Sequence, residues 1–142
     1  MSQTVVTRWW WVRHAPVTNT GGRIYGQRDV VADCSDQAAF AALAQVLPRQ
    51  ALWLTTPLQR TRQTFDAVMA ARAPGDHPGE PKAEPDFLEQ HFGDWQGLTH
   101  DEVSSQLPQQ AYRFWLAPAS QRPPGGESFA EVARRVAEGI AR

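Results

Sequence analysis

Between Val5 and Val12 the chain is almost continuously apolar, with β-branched residues leading into three consecutive tryptophans. The run is short enough for one strand, and indoles at successive positions must point to both faces. It therefore predicts a strand covered on both sides, as in a parallel sheet. A polar, glycine-bearing loop follows from Arg13 to about Asp33. Loops of that length without regular structure are usually functional or disordered.

The period then changes. Phe40, Leu43, Ala44 and Leu47 recur at helical spacing, which predicts a helix from about Asp36 to Leu47, capped by Ser35 or Asp36 and closed by Pro48. Ala51 to Thr55 reads as a second short buried strand. Thr56-Pro57 predicts the start of another helix, running to about Arg72, with threonine as N-cap and an apolar stripe of Leu58, Phe65, Val68 and Met69.

Ala73 to Pro85 holds four prolines and two glycines and reads as a surface loop. Thr99-x-x-Glu102 has the form of a capping box, and Tyr112, Trp115 and Leu116 suggest a further helical turn or two. A breaker-rich loop from Ala117 to Gly126 precedes a second capping box, Ser128-x-x-Glu131. The helix it opens has an apolar face of Phe129, Val132, Ala133, Val136 and Ile140.

Strand, loop, helix, strand, helix implies an α/β domain with a mainly parallel sheet. The 142 residues suit one compact domain able to bury a core. A net charge of −1 argues against non-specific binding to nucleic acid or a membrane surface. No segment approaches the roughly 20 apolar residues of a membrane span, and no signal peptide is evident, so a cytoplasmic location is expected. A single cysteine, Cys34, makes no internal disulfide.

Three places carry candidate chemistry. Arg13-His14 follows the first predicted strand, where α/β proteins gather ligand-binding groups. Arg60 falls in the first turn of the second helix, where the dipole disfavours a cation and favours a phosphate. Glu89 lies in a glycine- and aromatic-rich stretch, Phe87 to Gly97, that predicts an irregular packed loop; desolvation by its apolar neighbours would raise its pKa and suit it to acid catalysis. Taken singly, each has a plainer interpretation: a structural histidine, a solvated arginine, an exposed carboxylate.

Together the segments resemble the histidine phosphatase superfamily, or phosphoglycerate-mutase-like proteins. The family's Arg-His-Gly appears as Arg13-His14-Ala15, and its Ser-x-Leu-x-Arg-Ala-x-x-Thr as Thr56 to Thr64. Its Leu-x-Glu-x-x-Phe-Gly-x-Trp-x-Gly is similar to Phe87 to Gly97, and the Pro-Gly-Gly-Glu-Ser of its smaller phosphatases stands at Pro124 to Ser128. The resemblance is strongest to the α-ribazole-phosphatase-like branch.

The resemblance implies a three-layer fold, helices on both faces of a mainly parallel sheet. It implies His14 as the phosphorylated nucleophile, Glu89 as the acid for the leaving group, and Arg13 and Arg60 on the phosphoryl oxygens. Thr20, Gly22 and Arg23 fall where family members often contact substrate. The implied activity is hydrolysis of a small phosphorylated metabolite through a phosphohistidine, without cofactor or metal, and a homodimer is compatible. Two alternatives are a phosphate-binding module or fragment with little or no turnover, and a mutase-type phosphotransferase, for which the expected substrate-specific insertion is not evident.

Ala15 departs from the family's glycine and Thr55-Thr56 from its paired serines. The family's second catalytic histidine, in a His-Gly context near the C-terminus, has no counterpart before Arg142. An incomplete domain is therefore expected, with exposed apolar surface and an unpaired sheet edge. The loss of one cationic contact would cost on the order of 10²–10³ in rate.

Overall fold

The computed structural model describes residues 5–18, 20–117 and 119–142. Asn19 and Pro118, which fall in the two expected loops 13–33 and 117–126, lie outside the described residues, as do residues 1–4.

Local signals account well for the helices. Helix α1, Gln37–Val46, is capped by Asp36, whose side chain accepts from the Ala39 N–H. Helix α2, Gln59–Ala70, begins two residues after the predicted proline start, with Leu58 at its N-cap and no side-chain cap from Thr56. Thr61 competes for the turn: its hydroxyl accepts from the Thr56 N–H at 3.0 Å and lies 2.8 Å from the Leu58 carbonyl, holding residues 56–58 outside the helix. Asp29 supplies the missing cap from the long loop, accepting from the Gln59 N–H at 2.7 Å. Both capping boxes form, at the heads of helices α3, His100–Gln106, and α5, Phe129–Ala141. Helix α4, Pro108–Leu116, buries Ala111 and Phe114, while Tyr112, Trp115 and Leu116 are exposed; the predicted stripe was one face off.

The sheet is smaller than the sequence pattern implies. Strand β1, Leu54–Thr55, pairs in parallel with β2, Lys82–Ala83, which emerges from the end of the proline-rich loop. Residues 5–12 form no ladder with other described residues, and Val5, Val6 and Trp9 to Val12 are exposed rather than doubly covered. A strand's burial depends on neighbours that its own sequence does not contain. Here Trp9 and Trp11 stack with ring centroids 5.5 Å apart, and Phe87 meets both rings edge-on. The expected exposed apolar surface is thus present, made of this segment, Leu52 and the outer face of α5, where Phe129 and Ile140 stand in solvent.

Two clusters form the core. Phe40 and Leu47 of the α1 region pack against Phe65, Val68 and Met69 of α2, with Ala15 inserted beside them. Ile24, Trp95, Val103, Ala111 and Phe114 make the other, joining the long loop to α3 and α4. Among the described residues no helix is long and apolar enough to cross a membrane.

Candidate active site

His14 is placed by its neighbour. The Ala15 N–H donates to the Thr64 hydroxyl at 2.8 Å, and that hydroxyl in turn donates to the Arg60 carbonyl at 2.7 Å. One buried threonine on α2 thereby ties the His14 segment to the helix turn that carries Arg60. The His14 Nδ1 lies 2.7 Å from the Ala15 carbonyl. A carbonyl oxygen only accepts, so Nδ1 must carry the hydrogen, and the neutral ring then presents its lone pair at Nε2. That Nε2 is 3.8 Å from a Glu89 carboxylate oxygen.

Arg60 is the most buried charged side chain here, with 1% of its surface exposed. Its guanidinium donates to the Arg28 carbonyl at 2.9 Å, the Gly26 carbonyl at 2.7 Å and Glu89 Oε2 at 2.8 Å. The cation lies over the Tyr25 ring, 5.0 Å from its centroid, and Tyr25 also meets His14 edge-on. Arg60 Nε is buried without a hydrogen-bond partner among the described residues. The long loop thus wraps the guanidinium with two carbonyls and an aromatic face. A cation so placed is costly to desolvate unless an anion shares the site.

Glu89 lies between these two groups. Burial pushes its carboxyl up, as its apolar sequence neighbours suggest, but the neighbouring His14 ring, 3.8 Å away, and the Arg60 guanidinium outweigh it. The net direction is down, the reverse of the expectation from local sequence. Neighbours along the chain speak to burial; only the fold brings in the cation.

The remaining predicted residues are less concentrated. Arg13 is exposed and lines the same cavity of about 710 Å³ as His14, Arg60 and Glu89. Residues 7–12 and 50–54 line that cavity as well, without pairing to each other. Arg23 is engaged elsewhere, donating to the Gly97 carbonyl at 2.8 Å and to Glu102 at 2.9 Å at the head of α3. Thr20 accepts from the Arg23 N–H, and Gly22 is exposed with a positive φ; neither lines the cavity. Among the described residues there is no group of three or more side chains suited to a metal ion.

Some contributors escaped sequence reasoning. Tyr25 and Gln27 lie in the long loop, where the resemblance points to Thr20, Gly22 and Arg23 instead. Gln27 donates from Nε2 to the Glu89 carbonyl at 2.9 Å. Arg135 on α5 reaches the same carbonyl at 3.1 Å. A charged residue on an exposed-looking helix face carries no local sign of such a target.

Comparison with known proteins adds an independent line. Residues 9–142 match the family model described as histidine phosphatase superfamily (branch 1). Over 119 residues the chain is 36% identical to a glucosyl-3-phosphoglycerate phosphatase of Mycolicibacterium vanbaalenii, covering 82% of this chain and 50% of that protein. A mycobacterial glucosyl-3-phosphoglycerate phosphatase solved as a complex with VO3 superposes with a TM-score of 0.68 at 32% identity, over 90% of this chain and 64% of that one. The α-ribazole phosphatase of Shigella flexneri shares the fold with a TM-score of 0.77 at 22% identity, over 92% and 64% of the two chains. The chain therefore spans about half the length of the curated phosphatase it matches.

Proposed function

The chain belongs to branch 1 of the histidine phosphatase superfamily, and from that premise we propose that it is a phosphomonoester hydrolase acting on a small phosphorylated metabolite in the cytoplasm through a phosphohistidine. One observation carries this reading: the His14 Nδ1–Ala15 carbonyl contact leaves Nε2 as the basic nitrogen, facing a carboxylate that Arg60 holds.

In the proposed reaction His14 Nε2 attacks phosphorus in line, forming a P–N bond as the ester P–O bond breaks. The departing oxygen takes the proton of Glu89. Water then attacks the phosphohistidine with Glu89 as base, releasing phosphate and restoring His14. Arg60, with Arg13 at the mouth, neutralises the equatorial oxygens, which is most of what a loose phosphoryl transition state needs.

In the free protein the Glu89 carboxyl is held below its ordinary range, so it is ionised at neutral pH. A phosphoryl dianion entering between Arg60 and Glu89 would reverse that balance. It would draw the guanidinium's charge to itself and set negative charge beside the carboxylate, and both changes favour the protonated acid.

A second reading is favoured by the Arg60 contacts: two carbonyls and Glu89 already occupy its two Nη atoms. With only one Nη hydrogen and the buried Nε–H left for an anion, such a site would bind phosphate weakly and turn nothing over. Measuring hydrolysis of several small phosphomonoesters beside the binding of inorganic phosphate separates the two. Turnover abolished in His14→Ala supports hydrolysis; saturable phosphate binding with no turnover of any ester supports the binding module.

A further inference from the structure

We infer that Arg135, clamped by Glu127, is a positioning residue that sets where the Glu89 carboxylate stands. The inference rests on the proposed role of Glu89 as the acid. Glu89 lies in irregular chain after the single 3₁₀ turn Pro85–Phe87, and its side chain is 37% exposed. Arg60 grips the carboxylate at 2.8 Å, but neither a regular element nor close packing holds the backbone behind it, so where that grip is met depends on how the backbone is anchored.

That anchor comes from the opposite end of the chain. Arg135 Nη1 donates to the Asp86 carbonyl at 2.7 Å and Nη2 to the Glu89 carbonyl at 3.1 Å, bracketing the turn that leads into Glu89. The same guanidinium is oriented by a two-point pair with Glu127, Nη2 to Oε1 at 2.7 Å and Nε to Oε2 at 3.1 Å. Both partners are largely buried, with side-chain exposures of 18% and 19%.

Glu127 also grips the far side of Glu89. Its Oε1 accepts from the His91 N–H at 2.9 Å, its carbonyl accepts from Gln90 Nε2 at 2.8 Å, and its N–H donates to the His91 carbonyl at 2.9 Å. Residues 86–91 are thus held at both ends by one ion pair. A planar fork that meets two carbonyls and a carboxylate at once is a geometry lysine cannot copy. Neither Arg135 nor Glu127 lines the cavity that holds His14 and Arg60, so the effect on chemistry passes through Glu89.

Leaving-group dependence isolates this role. A nitrophenyl phosphate loses its leaving group without protonation, whereas an alkyl phosphate needs the acid. Misplacing the acid by about 1 Å is expected to cost on the order of 10–100-fold. Arg135→Met should lower kcat/KM, which reports phosphoryl transfer to His14, by that factor on the alkyl ester and change that of the nitrophenyl ester by less than about 3-fold. Glu89→Gln should show the same selectivity more strongly, and Arg135→Lys should recover only part of the loss.

An equal fall in kcat/KM for both esters in Arg135→Met, or no fall, would overturn the clamp. If Glu89→Gln lacks the selectivity, the acid assignment fails first and is recognised as such. Should Arg135→Met fail to fold, Glu127→Gln loosens the same fork at constant volume and is read the same way. If the chain turns over neither ester, ¹³C NMR titration of Glu89 decides: its carboxyl should rise toward the ordinary range in Arg135→Met, and an unchanged titration would refute the clamp.

Discussion

Replacing Thr64 by valine removes one oxygen and keeps the shape, which makes it a sensitive probe of how His14 is held. Thr64 is 6% exposed, and its hydroxyl is the acceptor for the Ala15 N–H. In Thr64→Val that N–H, on a residue 7% exposed, is left buried beside a methyl group. Orphaning a buried donor costs about 1–3 kcal/mol. The Arg60 carbonyl keeps its place in the helix ladder, so losing the second bond adds little. The expected total is about 2 kcal/mol. With an m-value of about 2 kcal/mol/M, the urea midpoint should fall by about 1 M. Thr64→Ser keeps the hydroxyl and loses one methyl, about 1 kcal/mol, and should keep the Ala15 amide protected from hydrogen exchange. In Thr64→Val that amide should exchange faster than its neighbours in the same core. A Thr64→Val protein within about 0.5 kcal/mol of wild type, with the Ala15 amide still protected, would refute the proposed tether.

Two other outcomes follow from the geometry. Gly93 has φ +52°, and a Cβ there would overlap the Pro124 carbonyl and the Gly126 nitrogen; Gly93→Ala should therefore cost on the order of 3 kcal/mol, read as a lowered melting temperature. The carboxyls of Glu89 and Glu127 both titrate below their ordinary range. Burial pushes each up, but His14 and Arg60 in one case, and Arg135 and the His91 N–H in the other, outweigh it. A depressed folded-state pKa contributes stability that is fully present above the unfolded value of about 4.3 and is lost as pH falls through the folded one. Unfolding free energy should therefore drop on acidification below about pH 4.3, and less steeply in Glu127→Gln. An equal slope in the two proteins would count against the pairing with Arg135.

What could be read from the sequence divides by range. The capping boxes at Thr99 and Ser128 and the Asp36 cap depend on residues three apart, and all three form. Arg60 could be picked out by its odd place in a first turn, and the fold does bury it beside Glu89 and near His14. Where the deciding partner lies far along the chain, local pattern failed. The Trp9–Trp11 run looks like a covered strand, yet among the described residues it finds no ladder and rests on Phe87. The start of α2 shifted because Asp29, thirty residues away, caps it. β2 hid in a proline-rich stretch because only its two residues Lys82–Ala83 pair with β1. Arg23 stood in a loop marked for substrate but found Glu102 instead. The charge on Glu89 was misjudged for the same reason: burial is partly visible in neighbouring residues, while Arg60 and His14 arrive only with the fold.

The most direct test of the central claim is to trap the intermediate. The protein is mixed with a radiolabelled phosphomonoester, quenched in base, where phosphohistidine survives, and digested for peptide mapping. An acid-labile phosphate is expected on the peptide bearing His14, attached at Nε2, and none in His14→Ala. Hydrolysis with no labelled enzyme at any time point, or label on a residue other than His14, would contradict it.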